Sequence, residues 1–182
     1  DASLPGLHHI TALSGAAQEN LDFYVGVLET LLRELDLLEA TLVGISKGGG
    51  TVLGYTLDSP NRIKRLVLVD SYGLGDSVPG GRRAAVMVNT PKLLELSWWA
   101  MKKSRTVTKA SLENVVFSDN IDAEFVDDIH REVRRPNSGD AYFRFARGEL
   151  HLSGPRTNYF ERLSDLPVET LFVHGKNDPL IP

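Results

Sequence analysis

The sequence predicts an α/β fold, a parallel sheet interrupted by an all-helical insertion. Three observations predict it. Ala40–Ile45 is a continuous apolar run, and Ile63–Asp70 reads as a second buried strand. Runs of that kind suit strands buried on both faces of a parallel sheet. The glycine-rich stretch between them reads as the connecting helix of a βαβ unit. A third run, Val168–Val173, returns only after roughly 90 residues with helical spacing and no convincing strand.

Taken in order, Leu7–Leu13 reads as a short strand, and Ala17–Leu28 and Thr30–Leu38 as two apolar-striped helices. Ala40–Ile45 is the first buried strand. Thr51–Leu57 is the helix after it, closed by Asp58-Ser59-Pro60, and Ile63–Asp70 is the next strand. Ser71–Gly81, with four glycines and Pro79, is a loop. Helices are expected over Lys92–Lys103, Lys109–Val116, Ala123–Arg134 and Ala141–Leu150, with breaks at Pro136–Gly139 and Ser153–Pro155.

Composition narrows the function classes. The 182 residues suit one domain, and 42% hydrophobic residues can bury a core. A net charge of −4 argues against a nucleic-acid partner, which usually leaves a basic patch. The absence of cysteine excludes disulfides, thiolate catalysis and cysteine-ligated metals. No apolar run reaches the roughly 18 residues of a membrane span, and the first 30 residues lack a signal-peptide pattern. A cytoplasmic location is therefore expected, with no membrane partner. A start at Asp1 without methionine suits a trimmed product or a fragment.

Gly44-Ile45-Ser46-Lys47-Gly48 matches G-x-S-x-G. Such a serine sits on a tight strand-to-helix turn. Glycines two positions before and after it are expected to avoid collisions with the neighbouring strand and helix. The turn lifts the hydroxyl above the carboxyl ends of the strands. The backbone N–H of Lys47, at the helix start, can donate to a developing oxyanion. The plainer alternative is that Ser46 only caps the helix.

The stretch from about residue 30 to Pro182 resembles the α/β-hydrolase superfamily. Leu42–Gly49 looks like its nucleophile elbow, Arg65–Asp70 like the following strand, and Phe172–Pro182 like the strand and loop that carry the triad acid. The resemblance implies a partial α/β-hydrolase fold with a helical lid at about 72–162. It implies a serine hydrolase acting on an ester or a related C–C or amide bond, with Ser46 as nucleophile and Asp178 as acid. No cofactor or metal is implied. Asp178 as a turn cap, and Asp70 as the acid instead, stay open.

In that family the histidine follows the acid in the chain. His8, His9, His130, His151 and His174 all precede Asp178. The base therefore has no visible source; the family also has several strands and an oxyanion loop before the elbow, and with only 45 residues before Ser46 the second oxyanion donor has none either, so this chain is expected to be inactive or nearly so. A non-catalytic fragment that completes its sheet with another chain, or self-associates through exposed edges, is the alternative.

Pro5–Ala12 and Asn20–Leu28 resemble instead the first strand and helix of the vicinal-oxygen-chelate family, with His9 at a metal-ligand position. The later strands such a site requires are not found. A boundary is expected near Glu29, and a metal-dependent enzyme is the third reading. In the lid, Lys92–Lys103 is unusually apolar. Trp98 and Trp99 are the candidates for lining an apolar acyl pocket for a small-molecule substrate.

Overall fold

A computed structural model describes residues 17–37, 39–78, 80–116, 118–178 and 180–181. The element order is α1 (Ala17–Glu34), β1 (Ala40–Ile45), α2 (Lys47–Asp58), β2 (Ile63–Val69), α3 (Gly81–Asn89), α4 (Leu93–Lys103), α5 (Arg105–Val116), α6 (Ala123–Val133), α7 (Asp140–Glu149), β3 (Leu150–His151), β4 (Gly154–Pro155) and β5 (Glu169–Val173). The main sheet runs β1-β2-β5, and both pairings are parallel. This is the parallel sheet with a helical insertion that the sequence predicts.

Register places Ile45, Val69 and Val173 side by side. The carboxyl ends of all three strands therefore finish level, and the residues that follow them, Ser46, Asp70 and His174, emerge at one edge of the sheet. Open α/β sheets bind ligands at this end.

One face of the sheet carries the core. Leu42, Leu66 and Leu68 pack with Leu32 of α1, Leu53 and Tyr55 of α2, and Tyr159. A smaller cluster of Val88, Leu94, Ala146 and Leu150 holds the helical insertion together. The other face departs from expectation. Val43 and Ile45 are 61% and 65% exposed, and Leu171 and Val173 beside them are also exposed. The expectation of burial on both faces is thus met on one. The described helices α1 and α2 pack on the Leu42–Leu66 side, and no described element covers the other.

Several element readings change. The two helices expected before β1 are one, and α1 runs unbroken through Glu29, where a boundary was expected. Glutamate is a good helix former, and the Glu29 carboxylate meets Tyr55 Oη at 2.5 Å and Arg62 Nε at 3.4 Å. The α3 helix was not foreseen, and the break at Ser153–Pro155 is the turn of a small antiparallel hairpin, β3–β4. The strand expected at Leu7–Leu13, with His8 and His9, lies outside the described residues. Among the described residues no helix is long and apolar enough to cross a membrane.

Candidate active site

Ser46 leaves β1 with φ 51° and ψ −124°. A residue with a Cβ visits positive φ at a cost of roughly 1–2 kcal/mol, so the surrounding structure must impose it. Four backbone hydrogen bonds do so. The Ser46 N–H donates to Val69 O at 2.9 Å. Its carbonyl accepts from Tyr72 N at 3.0 Å, Gly49 N at 3.0 Å and Gly50 N at 3.3 Å. The side chain is exposed and makes no capping hydrogen bond to α2. The simple helix-cap alternative for Ser46 therefore fails.

The glycines of the turn divide into two kinds. A Cβ on Gly44 would lie 2.6 Å from Gly49 Cα and 2.7 Å from Gly48 O. On Gly49 it would lie 2.7 Å from Ser71 Cβ, and on Gly50 2.9 Å from Tyr72 O. On Gly48 it would meet nothing within 4 Å. The crowding expected two positions after the serine therefore falls on Gly49 and Gly50 instead. The reason is that Gly48 lies on the outer side of the first turn of α2, while the next two glycines face β2 and its exit loop.

Lys47 begins α2, and among the described residues its backbone N–H is not spent on another backbone carbonyl. Its ammonium lies 4.5 Å from the centroid of the Phe145 ring of α7. Phe145 in turn meets Tyr72 edge-on at 5.8 Å. The Tyr72 hydroxyl donates to Glu149 Oε2 at 2.6 Å, and the Thr157 N–H donates to the same oxygen at 3.1 Å. Glu149 is fully buried, and its Oε1 has no partner among the described residues. Burial drives the Tyr72 phenol well above its ordinary range, and the bond to Glu149 adds to that. Burial lowers the Lys47 pKa, and the nearby Glu149 charge opposes the shift.

Asp178 follows β5. Its Oδ1 accepts from Leu180 N at 2.8 Å and Ile181 N at 3.1 Å. It converges with Asp70 and His174, and the ligand-type atoms of the three lie within 4.8 Å of one another. Asp70 Oδ1 accepts from the Gly175 N–H at 2.7 Å and lies 3.9 Å from His174 Nδ1. His174 Nε2 lies 2.7 Å from Ile181 O. Among the described residues this trio is the group that a metal would find, although two of its oxygens and one ring nitrogen already have partners. His130 Nδ1 lies 2.9 Å from Thr108 Oγ1, and His151 Nε2 3.3 Å from Gly148 O.

Trp98 is built into the insertion. Its ring stacks on Tyr142 at 5.8 Å, meets Phe143 edge-on at 5.6 Å, and abuts Gly139. Trp99 is 56% exposed. Phe145 is an aromatic side chain in contact with the elbow, through Lys47. Sequence reasoning missed Phe145, Tyr72 and Glu149. The one signal available was the position of Tyr72 just past Asp70, at the strand end.

Comparison with known proteins agrees with this geometry. A family model described as the alpha/beta hydrolase fold matches residues 9–182. The chain is 29% identical over 173 residues to the 2-hydroxymuconate semialdehyde hydrolase of Pseudomonas sp. (strain CF600), covering 91% of this chain and 55% of that protein. A Pseudomonas putida protein of the same name is 27% identical over 163 residues, covering 87% and 51%. The structure superposes on the 2-hydroxy-6-oxo-6-phenylhexa-2,4-dienoate hydrolase from Rhodococcus sp. strain RHA1 with a TM-score of 0.69 at 19% identity, covering 96% of this chain and 60% of that one. The chain thus spans about half the length of these curated relatives.

The family match runs through most of the segment that resembles the vicinal-oxygen-chelate family, and no comparison supports that second resemblance. The change of family expected near Glu29 is corrected accordingly. The strained serine between β1 and α2, the level ends of three parallel strands and a match over nearly the whole length lead to one statement: the chain belongs to the α/β-hydrolase family.

Proposed function

We propose that the chain carries the nucleophile and acid of a serine hydrolase that cleaves a carbon–carbon bond or an ester beside a carbonyl. The observation that carries this reading is the exposed Ser46 hydroxyl on a positive-φ turn at the exit of β1. Curated relatives named as semialdehyde and dienoate hydrolases favour the carbon–carbon bond. In this reading Ser46 attacks the carbonyl, and the Lys47 backbone N–H donates to the oxyanion. Asp178, with Oδ1 held by the turn, offers its other oxygen to an imidazole N–H.

The rings of His130, His151 and His174 each have another partner. Among the described residues no histidine hydrogen-bonds Ser46, and we therefore propose that Ser46 is acylated slowly in this chain. Phe145, which lies against Lys47, is the aromatic candidate beside the elbow in this reading. The test is p-nitrophenyl acetate. A slow stoichiometric release of nitrophenol, lost in Ser46→Ala, supports the reading. Release unchanged by that substitution overturns it.

A second reading has its own observation. The open sheet face of Val43, Ile45, Leu171 and Val173 suits a chain that associates with another polypeptide through this sheet.

A further inference from the structure

Asp70, His174 and Asp178 meet beyond the carboxyl ends of β2 and β5, and each has one polar atom engaged. Asp70 Oδ1 accepts from the Gly175 N–H, and Asp178 Oδ1 accepts from Leu180 N and Ile181 N. His174 Nε2 lies 2.7 Å from Ile181 O. A carbonyl oxygen only accepts, so Nε2 carries the ring proton. The neutral ring is then left with a bare lone pair on Nδ1, 3.9 Å from Asp70 Oδ1. Among the described residues, neither carboxylate pairs with a lysine or an arginine.

Two carboxylates and an imidazole lone pair repel one another unless a positive charge lies between them. The 3.9 Å gap is too long for a hydrogen bond. It suits two ligands of one metal ion, since bonds of about 2.1 Å allow a span of up to about 4.2 Å. The ligand-type atoms of all three residues lie within 4.8 Å of one another, so about 0.6 Å of side-chain movement closes the set. A histidine whose other ring N–H is held by a backbone carbonyl is the usual form of a ligating imidazole. Asp70 and His174 are both partly exposed, which leaves an ion a way in.

We infer that Asp70, His174 and Asp178 form a binding site for a divalent first-row cation, with zinc as the best match. One imidazole nitrogen with two carboxylate oxygens is a mixed donor set that zinc accepts, whereas magnesium favours oxygen alone. The two carboxylates balance the charge of the ion, and three protein ligands leave a position open. The inference goes beyond the serine-hydrolase reading and does not need it. The ion uses the Asp178 oxygen which that reading offers to an imidazole, so the two occupants exclude each other.

The experiment titrates zinc chloride into the chelator-treated full chain by calorimetry near neutral pH. A His8→Gln, His9→Gln background removes the adjacent histidine pair as a rival ligand. One zinc per chain is expected, with magnesium chloride binding at least about tenfold more weakly. Asp70→Asn and Asp178→Asn keep the Oδ1 acceptor and replace the free carboxylate oxygen. Each of them, and His174→Gln, is expected to weaken zinc by at least about tenfold. His130→Gln and His151→Gln are expected to change nothing. Where a variant loses its near-ultraviolet circular dichroism, paramagnetic broadening by cobalt(II) in the unsubstituted chain replaces it. The amides of Ser71, Gly175 and Asn177 are expected to broaden first. No saturable zinc binding at submillimolar concentration, binding that survives the combined Asp70→Asn and Asp178→Asn changes, or broadening centred elsewhere overturns the inference. Any of these results leaves the assignment of Ser46 standing.

Discussion

The backbone N–H of Tyr72 donates to the carbonyl oxygen of Ser46 at 3.0 Å. The residue with the exposed hydroxyl is thus gripped by the loop after β2 as well as by its own helix. The same Tyr72 reaches Glu149 at the end of α7 with its hydroxyl. One residue therefore links the elbow to the helical insertion.

Backbone strain at Ser46 predicts an unusual stability order. Ser46→Ala keeps a Cβ at φ 51°, whereas Ser46→Gly does not. The greater freedom of glycine in the unfolded chain offsets part of the relief. Ser46→Gly should exceed Ser46→Ala in unfolding free energy by about 0.5–1 kcal/mol. Urea denaturation of the two variants measures it. The reverse order would mean that the turn is relaxed.

The glycines give a sharper contrast. Gly44→Ala forces a Cβ onto the backbone of Gly48 and Gly49, atoms that cannot turn aside. A loss of about 2–3 kcal/mol is expected, as for overpacking in a tight core. Gly48→Ala meets open space inside a helix. It should be neutral or stabilising by up to about 1 kcal/mol. Thermal melts of the pair decide whether both glycines of the pentapeptide are structural or only the first.

Much of this was legible in the sequence, for a physical reason. β1 and β2 each bury one face in a parallel sheet, so they read as strands, and the bounds read for β1 match at both ends, whereas β5 is mostly exposed. α3 was hidden because it opens with Gly81-Arg82-Arg83 directly after a glycine-rich loop. Glu29 looked like a boundary because two family resemblances meet there, and its partners Tyr55 and Arg62 come from later in the chain. Glu149 was invisible for the same reason. A glutamate at a helix end reads as solvated until tertiary packing encloses it. The open face of β1 could not be read, since an apolar run does not say which side is covered.

Glu149 should be costly to remove. Glu149→Ala leaves the Tyr72 hydroxyl and the Thr157 N–H without their acceptor inside the protein. A loss of about 2–4 kcal/mol is expected from two orphaned donors. A double-mutant cycle with Tyr72→Phe should return a coupling of about 1–3 kcal/mol. A coupling near zero would show the two residues to be independent.

The same pair predicts alkaline behaviour. The Tyr72 phenol is raised in the folded chain, mainly by burial and then by Glu149, and burial pushes Tyr159 up to about 12. A raised folded pKa gives stability that is complete below the unfolded value of 10.0 and is lost as pH climbs through the folded value. Unfolding free energy should therefore fall from about pH 10 upward. Tyr72→Phe should flatten that decline. Denaturation series between pH 8 and 12 measure both slopes.

The uncovered sheet face predicts association. Ile45 and Val173 sit side by side through Val69 and are both exposed. Sedimentation velocity should show association that rises with concentration. Ile45→Thr with Val173→Thr should reduce it while keeping the β-branched shape that strands favour. A monomer at all concentrations would remove the second functional reading.

The most direct measurement is mass spectrometry of the folded chain after reaction with a fluorophosphonate. One phosphonyl adduct on Ser46, absent after heat unfolding and absent in Ser46→Ala, is the predicted result. No adduct, or adducts spread over other serines, would contradict the assignment of Ser46 as the nucleophile.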